Sequence, residues 1–253
     1  MARPRSCCGK GGLREPLGVQ STWLTGGTTP PQAGGPMLTT LGRQSVRFVL
    51  SVLLAFGVLS VPAYANEASN AHYRAGMSLY AKGKVREAEA KFRAAVAADP
   101  RSDAAYTGLG IALYAQRKLA DAVAQWRKAV SLNRRNVSAY VNLGAALNDL
   151  SKPDDAISAC RSALKISPTS TGAHLNLGRA LYKKKRFDEA IREYQAALKT
   201  DSCFSQAWLS LGWAWNAKSN TKEAVRCFER YLKLNPTQES CTCVLKAYIE
   251  KYR

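Results

Sequence analysis

From residue 66 onward, apolar side chains recur every three or four residues in stretches of about 12 to 14 residues. The segment YVNLGAALNDL, residues 140–150, shows this spacing clearly. Such spacing places the apolar side chains on one face of a helix with 3.6 residues per turn. The pattern therefore predicts an all-α protein built from short amphipathic helices.

The predicted helices follow a repeat of 34 residues. One column of small residues consists of Gly76, Gly110, Gly144, Gly178 and Gly212, and a second of Ala88, Ala122, Ala156, Ala190 and Ala224. A third column is mostly bulky and consists of Phe92, Trp126, Cys160, Tyr194 and Phe228. Small residues allow two helices to approach closely, and large ones fill the adjoining space. Each copy is therefore predicted to be a helical hairpin, and stacked hairpins bury the face that one hairpin leaves uncovered.

The fifth copy carries, in order, Trp208, Leu211, Gly212, Ala224, Phe228 and Pro236. This series resembles the signature of the tetratricopeptide repeat family, W-x2-L-G-x2-Y followed by Ala, Phe and Pro in a 34-residue unit. The resemblance implies a right-handed superhelical solenoid of five hairpins within residues 66–236, and a capping helix in residues 237–253. The repeats are predicted at residues 69–102, 103–136, 137–170, 171–204 and 205–238. Arg134 and Ser202 replace the closing proline in two copies, which predicts looser junctions there.

An export signal is predicted before the repeats. Residues 48–61 form an apolar run preceded by two arginines and followed by an Ala-x-Ala site that ends at Ala65. These are the features of a cleaved signal peptide, so residues 37–65 are predicted to be removed from a periplasmic or secreted protein. The alternative is an inner-membrane anchor formed by residues 48–61, although about 20 apolar residues are needed to span the membrane. Residues 1–36 are predicted to be a mis-assigned or disordered leader, with Met37 as the initiator.

Charge suggests a second kind of partner. The chain has 37 Lys+Arg against 18 Asp+Glu, and residues 66–253 keep a net charge of +14. Excess positive charge favours acidic partners, and export makes nucleic acid a poor candidate. The densest basic run, in the predicted turn of the fourth copy, consists of Lys183, Lys184, Lys185 and Arg186. It is either a solvated turn or a docking point for an anionic envelope component such as phospholipid or lipopolysaccharide phosphate.

No catalytic site, cofactor, metal or small-molecule substrate is predicted. The chain has two histidines and no G-x-x-x-x-G-K-[ST] motif, which disfavours metal-dependent hydrolysis and nucleotide hydrolysis. His72 and His174 fall in a repeat column that holds Tyr or Trp elsewhere, so they are predicted to pack between helices. Cys160 is predicted to be a core residue. Disulfides become possible after export, and a bridge from Cys227 to the closing helix is one option.

The family resemblance implies a concave surface, lined by the first helix of each copy, that receives a segment of a partner protein. The candidate groove residues are Tyr73, Met77, Tyr80, Ile111, Tyr114, Val141, Asn148, Leu175, Arg179, Tyr182, Leu209, Trp213 and Asn216. About a third are expected to complete helix packing only. Trp213 is predicted to point away from the Phe228 helix and to be a binding hot spot. The sequence thus predicts a non-enzymatic scaffold or adaptor in the bacterial cell envelope, with an envelope-binding module that uses the basic surface as the alternative.

Overall fold

The computed structural model describes residues 61–236 and 239–252, which form eleven α-helices and no strand. In chain order the helices are α1 (Val61–Ala81), α2 (Val85–Ala98), α3 (Asp103–Ala115), α4 (Leu119–Leu132), α5 (Val137–Asp149), α6 (Pro153–Ile166), α7 (Thr171–Lys183), α8 (Phe187–Thr200), α9 (Ser205–Ala217), α10 (Thr221–Leu234) and α11 (Glu239–Tyr252). The predicted leader and most of the predicted signal peptide lie outside the described residues. None of the helices described is long and apolar enough to cross a membrane.

Ten of these helices pair into five hairpins, from α1 with α2 to α9 with α10. The first helices of successive hairpins also contact each other, whereas successive second helices in the described chain do not come as close. A stack of this kind curves, with the first helices on the concave side and the second helices on the convex side. Helix α11 packs on α10 and closes the stack. The predicted all-α solenoid of five hairpins and a capping helix is confirmed.

The column of glycines and the mostly bulky column meet inside each hairpin. The side chains of Phe92, Trp126, Cys160, Tyr194 and Phe228 are at most 2% exposed. A Cβ atom added to any of the five column glycines would lie between 2.4 and 2.7 Å from one of these side chains. Real Cβ atoms essentially never come closer than 3.0 Å, so the glycines allow an approach that alanine would prevent. The predicted packing role of both columns, with Cys160 in the core, is confirmed.

The junctions between repeats keep one backbone geometry with or without a proline. Ser167, which precedes a proline, has φ −131° and ψ 91°. Asn133 has φ −135° and ψ 98°, and Asp201 has φ −133° and ψ 98°. In all three, the backbone N–H of the residue donates to the carbonyl four residues earlier and closes the last helical turn. The looser junctions predicted at Arg134 and Ser202 are therefore not found.

His174 links α7 to α8 and to the loop that precedes α7. Its Nδ1 lies 2.7 Å from a carboxylate oxygen of Glu193, and its Nε2 lies 2.9 Å from the carbonyl oxygen of Pro168. Both partners only accept hydrogen bonds, so both are satisfied when the imidazole is doubly protonated. The hydrogen bond to Glu193 raises the pKa of His174 above its ordinary value of 6.5; partial burial opposes this shift and the Pro168 carbonyl adds to it.

We expect the fold to lose stability as the pH rises above about 6.5, because a histidine with a raised folded-state pKa stabilises most below its unfolded pKa. The stabilisation is lost as the pH rises through the folded-state value. Urea unfolding from about pH 5.5 to about pH 8.5 measures the effect. Both His174→Gln and Glu193→Gln should flatten the pH dependence, whereas Glu250→Gln on the exposed side of α11 should keep it. An unchanged slope in His174→Gln would contradict the assignment.

Candidate partner-binding groove

Ten of the thirteen predicted groove residues keep exposed surface on the first helices. They are Tyr73, Met77, Tyr80, Ile111, Tyr114, Arg179, Tyr182, Leu209, Trp213 and Asn216. Trp213 has 37% of its surface exposed and is one of the most exposed large apolar residues described. Their role in binding stays a prediction, and the exposed rings give the concave side an apolar character.

Three predicted groove residues are buried, and the prediction for them is wrong. Val141 is 5% exposed and packs with Ala173, while Leu175 is 2% exposed. Asn148 is fully buried, and its Nδ2 donates to the backbone carbonyl of Asn176 at 2.8 Å. All three lie on α5 and α7, which contact each other directly, so this contact covers the side chains.

The groove rings are held in place by rings of the second helices. Tyr114 packs on Trp126 with ring centroids 5.8 Å apart, and Trp213 meets Phe228 edge to face at 5.0 Å. The prediction that Trp213 points away from the Phe228 helix is therefore wrong. Edge-to-face contact fixes the indole while more than a third of Trp213 stays exposed, so Trp213 would lose little side-chain freedom when a ligand packs on it.

The closing helix extends this aromatic surface at one end of the stack. The Tyr248 ring packs on Phe228 at 5.3 Å, and its hydroxyl donates to Oδ1 of Asn216 at 2.6 Å. Tyr252 follows at 4.8 Å from Tyr248 and is 42% exposed. Helix α11 therefore contributes rings beside Trp213 as well as covering the last hairpin.

Asp149 joins three repeats on the concave side. The Tyr114 hydroxyl donates to Oδ2 of Asp149 at 2.5 Å, and Nη2 of Arg179 lies 3.6 Å from Oδ1. Burial, together with the Asp149 hydrogen bond and charge, raises the pKa of Tyr114 to about 12. Sequence reasoning missed Asp149, although its repeat position was a signal. The other copies hold Ala81, Ala115, Lys183 and Ala217 there.

The basic run of the fourth hairpin is largely engaged within the fold. Lys184 forms an ion pair with Asp154, and Arg186 pairs with Glu189 at 2.5 Å. The Lys183 ammonium donates to a backbone carbonyl of α5. The remaining lysine of the run lies in the hairpin turn with a φ of 60°. Two of the four positive charges are thus paired with carboxylates of the fold, and the contacts give no support to the docking prediction.

Two of the three free cysteines in the described part of the chain are buried, and Cys243 is exposed. Cys160 and Cys227 are free and buried, and burial raises the pKa of both thiols to about 12. Such thiols are poor nucleophiles. Cys203 is disulfide-bonded and Cys227 is not, so the optional bridge from Cys227 to the closing helix is not formed. In the described part of the chain, no group of three His, Cys, Asp or Glu residues could hold a metal ion.

A curved stack of helical hairpins with an exposed inner face defines a repeat scaffold for protein–protein interaction. Three tetratricopeptide-repeat family models match the chain, the first at residues 73–126 and 107–171, the second at 147–211 and the third at 205–238. The chain belongs to the tetratricopeptide repeat family. The third match coincides with the predicted fifth repeat. No curated protein sequence matches the chain.

Solved structures of the same family share the fold. The MamA protein is 25% identical with a TM-score of 0.57, and the match covers 67% of this chain and 93% of MamA. PilW, described as a widely conserved type IV pilus biogenesis factor, is 22% identical with a TM-score of 0.69 and coverage of 74% and 86%. YrrB, described as a TPR protein with an unusual peptide-binding site, is 20% identical with a TM-score of 0.55 and coverage of 71% and 90%.

Proposed function

We propose that the chain is a non-enzymatic adaptor of the bacterial cell envelope that holds a segment of a partner protein in its concave groove. The observation that carries the proposal is the run of part-exposed rings along the first helices as far as Trp213, which Tyr252 on α11 extends. Aromatic side chains offer large contact area at a small cost in rotamer entropy, and they are enriched among binding hot spots.

Two further observations support the envelope location. The apolar run at residues 48–61 and the Ala-x-Ala site that ends at Ala65 match a cleaved signal peptide. Cys203 is disulfide-bonded, and disulfides persist mainly in oxidising compartments outside the cytoplasm. The similarity to a pilus biogenesis factor and to a peptide-binding repeat protein agrees with an assembly role.

We expect Trp213→Ala to weaken partner binding by about 30-fold, which corresponds to the roughly 2 kcal/mol of a typical hot spot. The Trp213 indole is 37% exposed, so its loss should leave most of the core intact. The measurement is quantitative mass spectrometry of proteins retained from an envelope extract by immobilised residues 66–253.

Lys165→Ala is the control, because Lys165 is exposed on the convex helix α6, away from the proposed groove. Circular dichroism should show that both variants keep the helical content of the parent. Retention of the same proteins at parental levels by Trp213→Ala would contradict the proposed groove.

A further inference from the structure

Charged residues are few on the first helices of the second to fifth hairpins. Apart from His174, the first helices α3, α5, α7 and α9 carry four charged residues, namely Asp103, Asp149, Arg179 and Lys183. Asp103 lies at the start of α3, where the side-chain amides of Asn133 and Asn136 donate to its carboxylate. One acidic and two basic side chains are therefore left near the carboxyl ends of α5 and α7.

The acidic member of this group is already engaged. Tyr114 donates to one oxygen of Asp149, and Arg179 lies near the other. The Asp149 side chain is 19% exposed, against 37% for Arg179. A basic ligand would therefore find this carboxylate mostly covered, and the group keeps a net positive charge.

Arg179 has donors to spare. Its distance of 3.6 Å to Asp149 is an ion-pair distance rather than a hydrogen bond, and it makes no hydrogen bond to any other described residue. A guanidinium carries five N–H donors in a planar fork that suits a carboxylate. Asp149 thus holds the guanidinium on the concave side without using up its donors.

Aromatic surface flanks Arg179 on both sides. Tyr182 follows it by one helical turn on α7, and Trp213 occupies the same repeat position on the next first helix, α9. Helix α7 contacts both α5 and α9, so the arginine lies inside the groove and not at an end of the stack. A bound chain that crosses it continues in both directions, which favours a side-chain carboxylate over a terminal one.

We infer that the groove selects a segment of a partner protein whose apolar side chains pack on the aromatic rings and which also carries an Asp or Glu side chain. The carboxylate of that Asp or Glu binds the free donors of Arg179. The inference rests on the proposed function and adds the chemistry of the partner. Charge complementarity carries it, because the group retains positive charge and its one carboxylate is engaged. Asp149 acts as a positioning residue for Arg179.

The test pans a random library of peptides of about 12 residues, long enough to cross the groove when extended, on immobilised residues 66–253. The peptides are displayed with their C-termini fused to the carrier. Enriched sequences are then synthesised with amidated C-termini, so that only side-chain carboxylates are present. Affinities are measured by fluorescence anisotropy for the parent, Arg179→Gln, Trp213→Ala and Arg161→Gln. Arg161 is an exposed arginine on the second helix α6 and serves as the matched control.

Enriched peptides should combine aromatic or aliphatic residues with Asp or Glu. Changing that acid to its amide should weaken binding about tenfold on the parent and on Arg161→Gln, and by less than about twofold on Arg179→Gln. Enrichment of apolar peptides without acid preference, or an undiminished acid effect on Arg179→Gln, would overturn the inference and leave the proposed function standing. Peptides that bind Trp213→Ala as tightly as the parent would instead contradict the proposed function.

Discussion

Removal of residues 237–253 should make the chain aggregate and should lower its melting temperature sharply. The deletion takes away α11, whose Leu245 and Ile249 are 2% and 8% exposed and pack in the cluster that contains the fully buried Phe228. Uncovering several large side chains costs several kcal/mol, at about 25 cal/mol for each Å² of apolar surface. A solenoid also needs a polar outer face at its end to stay soluble. Size-exclusion chromatography and thermal unfolding measure both effects.

Point variants in α11 separate loss of the cap from loss of chain length. Leu245→Ala should cost about 2 to 4 kcal/mol because it empties a buried site. Its neighbour Val244 is 63% exposed, so Val244→Ala should change the free energy of unfolding by less than about 0.5 kcal/mol. A truncated chain that remains monomeric with an unchanged melting temperature would show that α11 is not a cap.

Gly110→Ala should destabilise the second hairpin by about 1 to 3 kcal/mol, although alanine favours a helix by about 1 kcal/mol over glycine. The added Cβ would lie 2.5 Å from Nε1 of Trp126. Trp126 cannot yield easily, because it is 1% exposed and its Nε1 donates to the Thr107 carbonyl at 3.1 Å. Urea unfolding of the variant measures the cost.

Gly172→Ala is the control for this effect. Its added Cβ would lie 3.1 Å from Cγ1 of Val141, a contact that needs a shift of only a few tenths of an ångström, so the substitution should cost less than Gly110→Ala. Gly110→Ala combined with Trp126→Leu should be less destabilising than the sum of the two single changes, because the smaller side chain relieves the clash. Equal stability of the Gly110→Ala and Gly172→Ala variants would contradict the packing role of the glycine column.

The fold could be predicted from the sequence because the repeat presents the same packing problem five times. A glycine that faces a bulky residue in four of the five copies identifies the contact between the two helices. Cys160 takes the place of the bulky residue in the third copy and is equally buried. The junctions at Arg134 and Ser202 show the limit of this reasoning. Hydrogen bonds that close the preceding helices set the geometry there, and a proline signature does not reveal them.

The groove could be predicted only in part, because periodicity assigns equivalent positions and not equivalent neighbours. Val141 and Tyr73 share one repeat position, yet contact with the following repeat buries Val141 while Tyr73 keeps exposed surface. The sequence predicts that Trp213 avoids Phe228, but Gly212 brings α9 so close to Phe228 that the neighbouring indole reaches this ring. The role of Asp149 depends on partners 35 and 30 residues away, which no local pattern joins.

Site-specific photo-crosslinking in intact cells tests most directly whether the concave side holds the partner. A photoreactive phenylalanine analogue would replace Tyr114 or Trp213 on the first helices, and Arg161 or Lys165 on the convex helix α6. The proposed groove predicts that Tyr114 and Trp213 crosslink to the same partner protein, and that the two positions on α6 do not. Crosslinks to a partner protein from Arg161 or Lys165, with none from Tyr114 or Trp213, would contradict the proposed groove.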